Sequence, residues 1–160
     1  MRWIGVVAVG VAGALALAAC TATPGTSTPS TSTPVREADM DKAAVTAAIE
    51  ELPGVVSAEV GAYNTGRPGA HALRVAITVD ESGRDELGRV VDGAVRAVAA
   101  DPGDYESADF EVTAPDEAEP DDLIVLTLAR YQDRIPFDEG AYLGSTLTLT
   151  AAEVAAVAAR

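Results

Sequence analysis

Cys20 closes the run Leu15-Ala16-Leu17-Ala18-Ala19-Cys20 and is the only cysteine in the 160-residue sequence. A lone thiol cannot form an intramolecular disulfide, but its thiolate is the best side-chain nucleophile near neutral pH. The remaining reactive inventory is sparse. His71 is the sole histidine, so zinc sites of the His/Cys type are not expected. It stands in phase with Leu73 and Val75 or at the frayed start of their strand, which favours a packed or surface imidazole over a catalytic one. The carboxylate pairs Glu50-Glu51 and Asp121-Asp122 are adjacent in sequence, which points them apart. The stretch holding Asp116, Glu117, Glu119, Asp121 and Asp122 has the oxygen ligands that suit calcium. It also has prolines at 115 and 120 and no glycine for the sharp turn, so a solvated acidic loop is expected. No Gly-x-Ser-x-Gly elbow, phosphate-binding Walker loop or Gly-x-Gly-x-x-Gly occurs. No catalytic residue, metal site or cofactor is assigned, and the chain is read as a non-enzyme. A carboxylate-dependent hydrolase is the least favoured alternative, because carboxylate spacing across a fold is invisible in a sequence.

The setting of Cys20 is more informative than the thiol alone. Arg2 supplies a positive start, Ile4 to Ala19 is apolar with only glycines interrupting, and small residues precede the cysteine. That pattern reads as a secretory signal peptide over 1–19. An uncleaved helix is the alternative, at the lower edge of the length that spans a bilayer and only weakly apolar because it is rich in alanine. Leu17-Ala18-Ala19-Cys20 resembles the lipobox of bacterial lipoproteins. The resemblance covers the first 20 residues and none of the folded part. It implies that the Cys20 thiol receives a diacylglyceryl group through a thioether and that the signal peptide is cut just before it. In many bacteria of this kind the new amine is acylated too, and two or more chains anchor stably where one does not. The implied location is the outer face of the cell membrane, with the membrane itself a partner through the lipid. Arginine outnumbers lysine ten to one and alanine and valine abound, a bias that resembles high-GC actinobacterial genomes.

Residues 21–38, TATPGTSTPSTSTPVREA, are dominated by Thr, Ser and Pro and offer almost nothing to bury. Such a segment does not offset chain entropy and favours extended polyproline II. It would span on the order of 25 Å as a coil and about 60 Å fully stretched, enough to lift a domain clear of lipid headgroups. Ser/Thr-rich, Pro-punctuated stalks are also substrates for O-glycosylation, with an unmodified spacer the plain alternative. The formal charge of −14 becomes −15 once Arg2 leaves with the signal peptide. That excess disfavours nucleic acid and anionic lipid. Six aromatics beyond residue 20, none of them Trp, equip the chain poorly for stacking sugars or single strands.

Residues 39–160 suit one domain. Asp39 is placed to cap a first helix carrying Val45, Ile49 and Leu52, stopped by Pro53-Gly54. Segments 55–63 and 71–80 alternate and predict a hairpin, with Val56, Ala58, Val60 and Ala62 inward on the first. Ser82 and Asp85 resemble a capping box, opening a helix whose stripe is Leu87, Val90, Val91, Ala94 and Val98. A strand at 105–113 turns Ala108, Phe110 and Val112 inward. The run 123–131, apolar on both faces, is expected to be a central, doubly covered strand. Segment 145–149 suggests a fifth strand, and Thr150 with Glu153 forms a capping box before Val154 and Val157. The predicted class is α+β: an antiparallel sheet of four or five strands, helices on one face, in α-β-β-α-β-β order. That order equals a permuted ferredoxin-like sandwich. The stretch LPGVVSAEV resembles heavy-metal-binding domains of that fold, but their Cys-x-x-Cys is absent and no metal function carries over.

One stretch fits no period. IPFDEGAYLG, 135–144, holds Phe137 and Tyr142 between acids and glycines. These aromatics either fold back over the sheet or stay exposed as anchors for a partner. The expected role for the whole is a membrane-anchored interaction or accessory module, with an envelope protein as partner. The alternative is a small solute-binding component of a transporter, although one small domain lacks the two lobes that close around a ligand.

Overall fold

The computed structural model describes residues 40–160; the expected signal peptide and linker, with Cys20, lie outside them. Helix α1 (Lys42–Glu50) starts at Asp41, whose carboxylate accepts from the Ala44 N–H at 3.1 Å. The cap is thus Asp41, two residues later than expected. Val45 and Ile49, four residues apart, are its buried residues.

Strand β1 (Val55–Asn64) and strand β2 (His71–Val79) form the expected antiparallel hairpin. A register shift between Val55 and Ser57 drops Val56 out of the alternation, so this valine is exposed rather than inward. On β2, Leu73, Val75, Ile77 and Val79 are buried, while His71 is exposed at the strand's start.

The chain then makes a short helix α2 (Glu81–Asp85) and the long helix α3 (Leu87–Ala100). Asp80, not Ser82, caps α2. The Gly83 N–H donates to its carboxylate at 2.8 Å and the Ser82 hydroxyl at 2.7 Å, and these bonds hold the Asp80 pKa below the usual carboxylate range. The predicted stripe of α3 is buried throughout, and Val95 joins it.

Strand β3 (Ser107–Pro115) returns parallel to β2, pairing Leu73 with Ala108 and Val75 with Phe110. Next come a three-residue β4 (Leu123–Val125), two 3₁₀ turns (Leu128–Arg130 and Gln132–Arg134), β5 (Ala141–Leu143) and β6 (Thr146–Thr150). The last helix, α4 (Ala151–Ala158), follows directly. Its capping box is complete: the Glu153 N–H donates to the Thr150 hydroxyl oxygen, while the Thr150 N–H donates to the Glu153 carboxylate at 2.7 Å.

The protein is α+β, with a mixed sheet in the order β1-β2-β3-β6-β5 and β4 paired to β3 beyond the end of β6. Two expectations are corrected. The sheet is not purely antiparallel, because the α2–α3 crossover sets β2 and β3 side by side in one direction. A ferredoxin-like order would place another strand between them. The run 123–131 is not a central strand: Leu123, Ile124 and Val125 are exposed, and the chain leaves the sheet to bury Leu126 and Leu128. The cause is competition for one edge. β6 already occupies the outer side of β3 along Ser107–Glu111, leaving β4 only Thr113–Pro115. The central strand is β3, whose Ala108, Phe110, Val112 and Ala114 are all fully buried. These side chains share one core with Val45 and Ile49 of α1, the α3 stripe, and Val154 and Val157 of α4. One face of the sheet is therefore covered, and the other carries the polar residues.

Candidate functional site

The polar face is where the fold collects side chains able to recognise something. Registers across four strands set its rows. Gly61, Arg74, Asp109 and Thr148 stand side by side, and Glu59, Ala76, Glu111 and Thr146 form the next row. Two bonds run straight across: the Thr148 hydroxyl donates to Asp109 Oδ1 at 2.6 Å and the Thr146 hydroxyl to Glu111 Oε1 at 3.2 Å. Two others lean one row along. Tyr63, level with Ser107, donates to Asp109 Oδ2 at 2.5 Å. Arg74, level with Asp109, forks onto Glu111 Oε2 through Nε at 3.1 Å and Nη2 at 2.5 Å. Such diagonal reach is what long side chains achieve on a twisted sheet.

The result is a ladder, Tyr63–Asp109–Thr148 beside Arg74–Glu111–Thr146, in which each carboxylate takes two side-chain donors. Gly61 leaves open space in front of it, with nothing near the position its Cβ would occupy. Gly61, Tyr63, Arg74, Asp109, Glu111 and Thr146 line a shallow concavity of about 370 Å³. The bond to Asp109 favours the neutral phenol, with burial and the negative charge of Asp109 adding to it, and so raises the Tyr63 pKa. Glu111 likewise raises that of Arg74. The phenol is kept as a donor and the guanidinium as a cation. This arrangement supplies fixed hydrogen-bonding groups and a net negative field rather than a nucleophile beside a base.

A second concavity, about 400 Å³, lies between α2 and the acidic loop and is lined by Glu81, Arg84, Asp85, Asp116 and Glu117. Arg84 is mostly buried there. It donates to the Pro115 carbonyl at 3.0 Å and pairs with Glu117, pinning the loop to α2. The other singled-out residues do not converge. Glu50 accepts from the Ala58 N–H at 3.2 Å, and it is exposed like Glu51, Asp121 and Asp122. Among the described residues no group of three His, Cys, Asp or Glu side chains is placed to hold a metal ion. No helix among them is long and apolar enough to cross a membrane.

Of the two aromatics in the stretch without a period, Phe137 lies outside any strand, whereas Tyr142 falls on the short strand β5. Phe137 is only 4% exposed and belongs to the core. Tyr142 lies on β5 opposite Leu147, half-buried against the core, and its hydroxyl is buried without a partner. Burial, with the nearby Asp138 charge, raises its pKa. Phe137→Ala should lower stability by about 3 kcal/mol, a fall of roughly 10 °C in melting temperature. Tyr142→Phe, which removes only the unpartnered hydroxyl, should leave the melt unchanged or raise it. Thermal melts of the two variants check this; an unshifted Phe137→Ala melt would remove Phe137 from the core.

The ladder residues were not singled out by the sequence. Its signal was the outward alternation of Arg74 on one strand and of Asp109 and Glu111 on another, but neither strand announces that they are neighbours. The class defined by these observations is a mixed-sheet α+β domain with one covered face and one polar, open face. Compared with known proteins, the chain matches no family model, no curated protein and no solved structure.

Proposed function

We propose that this chain is a lipid-anchored protein of the outer face of the cell membrane. In this reading Cys20 carries the lipid, residues 21–38 form the stalk, and the folded domain is a non-enzymatic interaction module for another envelope component. The observation that carries the location is Leu17-Ala18-Ala19-Cys20 at the end of an apolar run, followed at once by a Thr/Ser/Pro tract. The open face supports the interaction role. Its polar groups are held in place by one another, so presenting them to a partner costs little side-chain ordering.

Intact-mass analysis of the membrane-extracted protein tests the anchor. The expected mature chain begins at Cys20 and carries the added mass of a diacylglyceryl group. Cys20→Ser should accumulate as an unprocessed precursor or be released by another peptidase. A mature form starting elsewhere, or an unmodified Cys20, would refute the anchor. Co-purification from detergent-solubilised membranes tests the surface. A partner lost with Arg74→Glu, while the melt is unchanged, supports the open face; full recovery with that variant removes the face from the reading.

A further inference from the structure

The strongest anomaly on the surface is β4. Leu123, Ile124 and Val125 are consecutive aliphatics with 59%, 39% and 55% of their surface exposed. The neighbouring hydrogen bonds fix which way the strand's backbone points. The Leu126 N–H donates to the Val112 carbonyl and the Asp116 N–H to the Asp122 carbonyl, both at 2.8 Å. In an antiparallel ladder the bonded pairs alternate, so residues 122, 124 and 126 turn their backbone groups toward β3. The N–H and C=O of Leu123 and Val125 then face outward, away from the sheet. The side chains of these two residues lie on the open face, level with Pro115 and Thr113. Leu143, 70% exposed, is level with Thr146 and hence with Glu111 on that same face. Strand spacings put its Cα about 8 Å from that of Val125. A free backbone edge and three exposed aliphatic side chains on one face therefore lie together.

Natural sheets protect such edges with charge, bulges or covering loops. Here the protection is one-sided. Asp116, Glu117, Glu119, Asp121 and Asp122 stand immediately before β4, and of these Glu117 alone forms an ion pair, with Arg84. These charges repel another copy of this acidic chain, but they attract a basic one. We propose that β4 is a docking edge that takes an extended, basic peptide segment of a partner protein as an added strand. Leu123 and Val125 offer two backbone donors and two acceptors to it. Alternate apolar side chains of the peptide lie along Leu123, Val125 and Leu143, and its Lys or Arg residues lie at the acidic end. The edge is distinct from the polar ladder, and the proposal stands or falls independently of the lipid on Cys20.

The probe is a labelled peptide, acetyl-Lys-Lys-Val-Thr-Val-Thr-Val-amide, and its reverse-order counterpart, titrated against the full chain in detergent. Binding is read by fluorescence anisotropy, and amide exchange is read at Leu123 and Val125. One of the two orders should bind and slow exchange at both amides. Replacing its lysines by glutamates should weaken binding about tenfold or more, and added salt should weaken the basic peptide progressively. Val125→Pro removes an outward N–H that the fold does not use, so the melt should hold while affinity falls about fivefold. Equal binding of the glutamate peptide, or no protection at Leu123 and Val125 with either order, overturns the proposal. Concentration-dependent dimerisation abolished by Val125→Pro would assign the edge to a second copy instead. Protection without peptide that vanishes when residues 21–38 are deleted would assign it to the chain's own linker. Either result replaces the basic partner.

Discussion

Gly54→Ala is expected to destabilise the folded domain by about 3–5 kcal/mol, a large share of the 5–15 kcal/mol typical of one domain. Gly54 ends the Pro53-Gly54 turn into β1 with φ of +81°, a conformation that costs an L-residue on the order of 1–3 kcal/mol. Strain is the smaller part. A Cβ there would overlap the backbone N and Cα of Gly83 in α2, and a Cβ on Gly83 would overlap the Gly54 carbonyl. The two backbones meet glycine to glycine, and the Asp80 N–H donates to the Gly54 carbonyl at 2.9 Å. Neither chain can yield without pulling α2 off the Pro53-Gly54 turn and breaking that bond. Gly66→Ala is the control: its φ is +89°, but nothing lies near its Cβ position, so only the strain of about 1–2 kcal/mol applies. Urea denaturation of both variants separates strain from collision. Equal losses at the two positions would mean that the Gly54–Gly83 contact contributes nothing.

Phe110→Ala should cost about 4 kcal/mol. Phe110 is the largest fully buried side chain, inward on the central strand and flanked in register by Val75 and Leu147. Three strands and the helical layer surround it, so the cavity left by its ring has little room to collapse. Thr113→Ala, three residues along the same strand and facing the other way, should cost less than about 1 kcal/mol. Melting temperatures of the pair measure the contrast between the two faces of β3. The Phe110 variant should also loosen the ladder, because Asp109 and Glu111 are its immediate neighbours on the strand. A drop in the raised Tyr63 pKa would report that loosening. A Phe110→Ala loss no larger than that of Thr113→Ala would put the core elsewhere.

The local pattern of residues 40–160 was legible wherever one periodicity held alone. Leu87, Val90, Val91, Ala94 and Val98 sit on α3 as their spacing requires, because a helix can bury only one stripe. The β1–β2 hairpin and the Thr150–Glu153 box were equally readable, since each depends on residues a few positions apart. Alternation alone puts Val56 inward and the structure exposes it, because a bulge changes the phase of a strand without changing its composition.

The N-terminal resemblance, with Cys20 at its end, is a property of contiguous residues and needs no fold to be recognised. The site on the domain is different in kind. Tyr63, Arg74, Asp109, Glu111, Thr146 and Thr148 come from four strands, and they meet because the α2–α3 crossover lays β3 parallel to β2 while β6 takes its other side. The same event decided the fate of Leu123–Val125. Their apolar run predicts a buried central strand. Only the tertiary structure shows that β6 occupies most of that edge of β3, leaving three residues of room and an exposed β4. Periodicity reports which face of an element avoids water; it carries no information about which of two segments wins a shared edge, because that depends on the packing of the whole core.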